Sequence, residues 1–428
     1  MGIANTAVAA FDDAAICRDG PSLPALNCKL EDGWELAVYD NLAAVESIWR
    51  EFESSAECTA FQTFEWLSTW QRHIGARNEF TPVIVVARAT AGEIVFILPL
   101  ALHCSGLVRQ LVWLGSEHCD YNAPLLAKDF AQRLGPRKFL ALWRVTLRTL
   151  RASAQLRFDV VHLEKMPEAI RLQHNPMLAL KTVLHPSGSY ATPLAGSWDA
   201  FYAAKRSSST RSRDRAKRRR LAEHGKLAFV TAKNDSEALA TIEVIAKQKS
   251  AYFARLGIPN LFEQPGYLDF LKDFAGRPDG ARLCHISELH VGSQVAAASF
   301  ALTLGGRYYY VLSSYTGGEL SRLGPGAVHL QELLRYAIDN HFAIFDFTVG
   351  DERYKLDWCE GTSPLHDHIS AATLLGAVRI WPVVLFTTLK RTIKQTPTLW
   401  ACYTKLRTFL GRLHSPDGNQ TKAGEEAS

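Results

Sequence analysis

At 428 residues the chain is too long for one ordinary core, which predicts two domains with tails. Apolar residues at 47% and charged residues at 21% exclude a disordered or fibrous chain, and eight cysteines with no CxxC pair argue against a zinc or disulfide framework and fit a reducing cytoplasm. The net charge of +5 is concentrated: residues 205–220, "KRSSSTRSRDRAKRRR", hold nine Lys or Arg against Asp214, a local +8 that leaves −3 for the remainder.

In chain order, residues 1–16 carry Asp12 and Asp13 and no cation ahead of their apolar residues, so they do not read as a secretory signal. Helical stretches at 41–55 and 63–75 precede three strands, 80–90, 92–103 and 107–116, joined by short turns. A helix at 130–152 then leads into a strand at 157–163. The order recurs: helices at 235–255 and 264–275, strands at 281–290, 293–304 and 307–315, a helix at 326–340 and a strand at 342–348. Val291-Gly292 and Gly305-Gly306 mark the hairpins of the second trio. A duplicated mixed α/β unit explains this repetition, and the boundary falls near 184–197, where "LHPSGSYATPLAGS" gathers Pro, Gly and Ser. Between the halves, the basic segment reads as a helix from about Ser209 that closes at Gly225. Helical spacing places Arg211, Arg215 and Arg218 on one face, a stripe suited to phosphate oxygens, although the same charges would be equally at home on a solvated face. The stripe lacks interleaved aromatics and the body is acidic, which argues against nucleic acid as the partner.

Two stretches of the second half carry the chemistry. In "TGGELSRLGPGAVHLQELLRYAID", Gly324, Pro325 and Gly326 sit where a helix begins, with Leu330, Leu333, Leu334, Ala337 and Ile338 on its buried face. A glycine turn opening a helix offers backbone N–H groups and the positive end of the dipole to a pyrophosphate. In "FDFTVGDERYKLDW", an apolar strand stops at Gly350, and Asp351, Glu352, Arg353, Tyr354 and Lys355 crowd one short turn. "SEHCDY" (116–121) and "HDH" (366–368) bring His, Cys and acids together without a metal-ligand partner elsewhere, so no metal is expected.

The order of residues 281–358 resembles the GNAT acyltransferase fold, whose acyl-CoA pyrophosphate sits on the loop between the fourth strand and its following helix. The pairing of "SRLGPGAVHLQELLRYAI" with "FDFTVGDERYKLDW" is similar to the CelD/BcsL-type acetyltransferases of bacterial polysaccharide biosynthesis and to the wider Fem-type group, built from two tandem GNAT units. "FQTFEWLSTWQRHIG" (61–75) and the arginine-rich helix fit the same group. Where that loop usually has Gln or Arg three residues before its first glycine, this chain has Ser321, with Arg322 one place late. The expected architecture is an N-terminal extension (1–33), a first GNAT-like unit with a degenerate cofactor site (34–185), a catalytic acyl-CoA-binding unit (186–372), a basic apolar helical region (373–414) and a disordered tail (415–428).

The resemblance implies an N- or O-acyltransferase that draws on acetyl-CoA or another acyl-CoA and acts on a sugar-linked or polysaccharide-precursor acceptor. Arg322, Gly324, Gly326 and Ala327 would hold the cofactor, and backbone amides near Ser313 and Ser314 would face the oxyanion. Tyr354 takes the place of the general acid for the leaving thiolate, or else packs on Trp358, while Lys355 stabilises anionic charge. Asp346, set by strand period two on the face opposite Phe345 and Phe347, leads Asp351 as the general base. Arg211, Arg215 and Arg218 would contact the acceptor or CoA phosphates. Ala371 to Pro416 contains no acid and carries Arg379, Lys390, Arg391, Lys394, Lys405, Arg407 and Arg412, which suits docking on the enzyme body, on a synthase, or peripherally on an inner membrane surface. Two rival readings stand beside this one: a Fem-type transferase fed by aminoacyl-tRNA, and a non-catalytic module binding a polysaccharide synthase or anionic polymer.

Overall fold

A computed structural model describes residues 26–30 and 32–382. The N-terminal residues before these, and nearly all of the basic C-terminal region and tail, lie outside the described residues. The fold is mixed α/β, with two principal sheets.

The first sheet runs, edge to edge, through Leu26–Lys29, Glu35–Tyr39, Thr81–Arg88, Ile94–Ser105, Val108–Trp113, Val160–Pro167, Leu365–Ala371 and Val183–Leu184. The second runs through Ser189–Pro193, Ile344–Val349, Arg307–Tyr315, Gln294–Leu304, Cys284–Val291 and Leu227–Thr231. Both contain an antiparallel run followed by a parallel crossover: Val108–Trp113 to Val160–Pro167 through the helix Pro136–Ala152, and Arg307–Tyr315 to Ile344–Val349 through the helix Pro325–Asp339. The strand trios and crossover helices therefore fall where sequence periodicity places them. The stretch at 130–152 divides into Phe130–Arg133 and Pro136–Ala152, because Gly135-Pro136 interrupts it and Pro136 opens the second helix at its first position.

One strand crosses from the second unit into the first sheet. Ser189–Pro193, which follows the first unit in sequence, pairs with Ile344–Val349 of the second sheet. Leu365–Ala371, which follows the second unit, pairs with Val160–Pro167 of the first. The expected span 186–372 thus contributes its last strand to the other sheet.

A shared aromatic core joins the units. Trp66 packs edge-on against Phe270 and Phe274 at centroid distances of 4.7 and 5.0 Å, and Phe61 meets Tyr309 at 5.7 Å. The helices Asp235–Leu256 and Tyr267–Gly276 fill one face of the second sheet, while Pro325–Asp339 covers the other. Among the described residues no helix is long and apolar enough to cross a membrane.

Candidate active site

Arg307–Tyr315 and Ile344–Val349 pair over only three residues, Arg307 to Tyr309 against Ile344 to Asp346. Just beyond, the register against Gln294–Leu304 shifts so that Val311 is an extra residue, and a bulge of this kind bends a strand and ends its pairing. The two parallel strands part, and a gap opens between them. Thr316 N–H donates to Ala296 O at 2.8 Å, so by alternation Ser314 and Leu312 turn their amides toward the neighbouring strand and Ser313 and Tyr315 turn theirs to the gap. Of the two serines, Ser313 therefore presents its N–H, while the Ser314 hydroxyl donates to Gln248 Oε1 at 2.8 Å.

On one side of the gap lies a cavity of about 390 Å³, lined by Gly324, Gly326, Ala327, Ser321, Arg206 and Lys217 among others. Gly324 is left-handed at φ 73°, the backbone that brings the chain into the helix Pro325–Asp339. Ala327 and Val328 give their N–H groups to Gly324 O, at 3.1 and 3.3 Å, and Pro325 has none. Among the described residues this leaves Gly326 as the first-turn amide without a protein acceptor. A Cβ on Gly326 would lie 3.3 Å from the Tyr315 ring, a tight approach that the ring would have to yield to. The Lys217 stem crosses Gly324 and so brings a cation to the positive end of the helix. That juxtaposition is unfavourable until an anion lies between them.

Arg206 strengthens the same reading. Its guanidinium is largely buried over the Trp358 ring at 5.0 Å, with Nη1 2.9 Å from Asp357 and Nη2 3.5 Å from Asp214. Its buried Nε meets no acceptor among the described residues. A glycine cradle, an open helix terminus, a lysine and an orphaned arginine N–H fit a phosphorylated donor such as acyl-CoA. Arg322 is exposed and outside this cavity, and Ser321 lines it instead.

The arginine helix spans Ser208–Glu223 with Ser207 as its cap, but turns a different face inward from the expected one. Asp214 and Leu221 are its buried residues, because Asp214 accepts from Tyr202 Oη at 2.8 Å and anchors that side. Lys217, between them in the helical register, is the one that reaches the cavity. Arg211 donates to Ala203 O and Arg206 O at 3.2 and 2.9 Å, and Arg218 pairs with Glu332. Arg215 is exposed. None of the three lines the donor cavity.

On the other side of the gap a second cavity, about 320 Å³, lies between the two units and takes in Asp120, Glu164, His185, Lys249, Tyr267 and Glu352. Desolvation pushes the Lys249 ammonium down to about 8, against the opposing pull of Glu352. His118 reaches this cleft too; desolvation, aided by Lys165, pushes its imidazole down to about 4, so it is neutral near pH 7. Tyr310, Ser313 and Tyr354 belong to both cavities and form the wall between them.

The turn Arg353–Asp357 is a 3₁₀ helix, whose tighter winding takes position i+4 off the face of position i. Tyr354 accordingly packs on Phe347, edge to face at 6.3 Å, and Trp358 stacks on Phe201 at 6.2 Å instead. Desolvation, with Tyr310 and Glu352 adding to it, holds the Tyr354 phenol well above its usual pKa, so near neutrality it keeps its proton. Lys355 is buried at 2% exposure; its ammonium donates to Val349 O at 3.1 Å and pairs with Glu352 at 3.0 Å. It fastens the strand end beneath Tyr354 and lines the inter-unit cavity from there.

Asp346 is fully buried, and three donors occupy its carboxylate: Tyr121 Oη at 2.8 Å, Thr348 N–H at 2.8 Å and Arg307 Nε at 2.7 Å. It lines neither cavity; its location ties the first unit, through Tyr121, to the second. Asp351 is exposed and also outside both. The structure thus gathers Tyr354, Lys355, Ser313, Ser314, Gly324, Gly326 and Ala327 around the two cavities and leaves both proposed bases, Asp346 and Asp351, away from them. Arg206, Lys217, His185 and Lys249 are among the cavity residues that sequence reasoning missed; only the first two stood inside a segment marked by charge.

Residues 208–356 match the family of acetyltransferase (GNAT) domains. No curated protein matches the chain in sequence. Among solved structures, FemX is similar at 10% identity with a TM-score of 0.52, covering 76% of this chain and 96% of its own. L-PGS from Bacillus licheniformis aligns at 10% identity and TM-score 0.48, over 83% of this chain and 98% of its own. A tandem GNAT protein from the clavulanic acid biosynthesis pathway aligns at 11% identity and TM-score 0.41, over 82% and 98%. The chain shares the fold of FemX, and the match to the acetyltransferase (GNAT) domain family covers residues 208–356.

Proposed function

We propose that the protein is an acyl-CoA-dependent N- or O-acyltransferase. Its donor lies in the cavity under the Gly324–Ala327 turn, its acceptor in the cleft between the units, and its chemistry at the wall between them. The observation that carries this reading is that Tyr354 and Ser313 border both cavities at the gap between the parting strands. An acyl thioester reaching through that gap would meet the Ser313 N–H as an oxyanion donor and the Tyr354 hydroxyl as the proton source for sulfur. Arg206, Lys217 and the Gly326 amide would hold the phosphates of CoA. A mixed polar cleft between two units, with Asp120, Glu164 and Glu352 on its walls, suits a polyhydroxylated acceptor, in keeping with a sugar-linked or polysaccharide-precursor substrate of the CelD/BcsL kind.

Isothermal titration with acetyl-CoA and, separately, with bulk tRNA tests the donor. Micromolar binding of acetyl-CoA is the expected result. Binding of tRNA without CoA would replace this reading by an aminoacyl transferase, and binding of neither would leave a non-catalytic module. Free-thiol release from acetyl-CoA in the presence of amino sugars and oligosaccharides then ranks acceptors.

A further inference from the structure

The crossing of Leu365–Ala371 into the first sheet creates a titratable pair that the sequence keeps 182 residues apart. His185 follows Val183–Leu184 at the end of the first unit, and its own N–H donates to Leu365 O at 2.7 Å. Asp367 arrives on the crossing strand, Leu365–Ala371. His185 Nδ1 lies 2.9 Å from both carboxylate oxygens of Asp367. Asp367 is 5% exposed, and its Oδ1 also accepts the Lys165 N–H at 2.9 Å. The Lys165 ammonium is turned elsewhere, onto Glu117 O and Cys119 O at 2.9 and 3.0 Å. His185 lines the inter-unit cleft together with Tyr354 and Ser313.

A buried carboxylate beside Nδ1 fixes the proton on that nitrogen and leaves Nε2 as the basic lone pair. Among the described residues Nε2 makes no hydrogen bond to protein. Glu164 comes near as well, its carboxylate lying within 4.8 Å of the ligand atoms of the other two. With Nδ1 in hydrogen-bond contact with Asp367, however, the pair has the geometry of an oriented base rather than of two ligands on one ion.

From this placement we infer that His185 is the general base that activates the acceptor and that Asp367 is its positioning residue. This rests on the acyltransfer reading and supplies the base that Asp346 and Asp351 do not. The acceptor O–H or N–H gives its proton to His185 Nε2 as the acceptor atom bonds to the thioester carbonyl carbon. The C–S bond then breaks with its electron pair on sulfur, which takes the Tyr354 hydroxyl proton. His185 releases its proton to solvent and Tyr354 regains one, so the products are the acylated acceptor and CoA thiol.

The test uses the full chain and acetyl-CoA, with water and glucosamine as acceptor probes, and reads free thiol. His185→Ala is expected to lower kcat about 10²-fold or more while leaving acetyl-CoA affinity by titration unchanged, and added imidazole is expected to restore part of the rate. Asp367→Asn should lower kcat at unchanged donor KM. His185→Gln, which keeps an amide beside Asp367, serves in place of the alanine variant if that one does not fold. Wild-type turnover in a folded His185 variant overturns the assignment alone. So does a loss that imidazole does not rescue, or wild-type activity that EDTA abolishes and zinc restores. A wild-type protein that neither binds acetyl-CoA nor releases thiol from it removes the acyltransfer reading, and this inference falls with it.

Discussion

Tyr354 and Lys355 are neighbours in sequence with opposite duties, and substitution should separate them. Tyr354→Phe removes a hydroxyl on the wall of both cavities and keeps the ring on Phe347. A fall in kcat of about 10²-fold or more with an unchanged melting temperature is expected. Lys355→Met deletes the ammonium held by Val349 O and Glu352. It should cost about 1–3 kcal/mol of stability, because it leaves the buried carbonyls at the strand end without their donor; urea unfolding measures it. A Lys355 variant of normal stability and reduced kcat would give that charge a direct part in turnover. Buried histidines set the acid limit. Desolvation pushes His285 down to about 4 and His329 down to about 3. Their folded pKa values lie below the unfolded value of about 6.5, so the unfolded chain takes up more protons in between and stability is lost as pH falls from about 6.5 toward 4. His285→Gln should flatten that loss by about 3 kcal/mol at most, read from urea midpoints at pH 7 and 4.5; an unchanged slope would exclude His285 as its source.

Among elements, the turn into Pro325–Asp339 and the helix Ser208–Glu223 make one anion site from two segments. Gly326→Val would set a branched side chain against Tyr315 and close the approach to the amide. A drop in CoA affinity of about tenfold or more is expected by titration. Lys217→Met should weaken binding at low salt and reduce its salt dependence, whereas Arg215→Ala should leave both as they are. Equal effects of Lys217→Met and Arg215→Ala would mean that the helix contributes only a diffuse field. The glycine turn, the crossover helix and the polar turn after the strand were all legible in the sequence, since each is written in local spacing. The inward face of the arginine helix was not. Every face of that helix is cationic, and its rotation is set by Asp214 meeting Tyr202, a contact that charge pattern alone does not express.

At the scale of the molecule, the repeated order of strands was readable because each half repeats the same alternation and hairpin signals. What escaped was everything made by pairing distant strands. Asp346 read as the general base because Tyr121, 225 residues away, is not its neighbour in any local pattern. His185 and Asp367 meet only because Leu365–Ala371 joins the first sheet. That crossing also imposes an order on synthesis at the ribosome. When Val160–Pro167 has emerged, its partner Leu365–Ala371 is still unmade, so the first sheet waits with one long edge unpaired. At about 5–20 residues per second the delay is on the order of 10–40 s. An unpaired edge is a template for another chain's strand, so the nascent protein is most exposed to edge-to-edge aggregation during that interval, until Leu365–Ala371 arrives to cover Val160–Pro167.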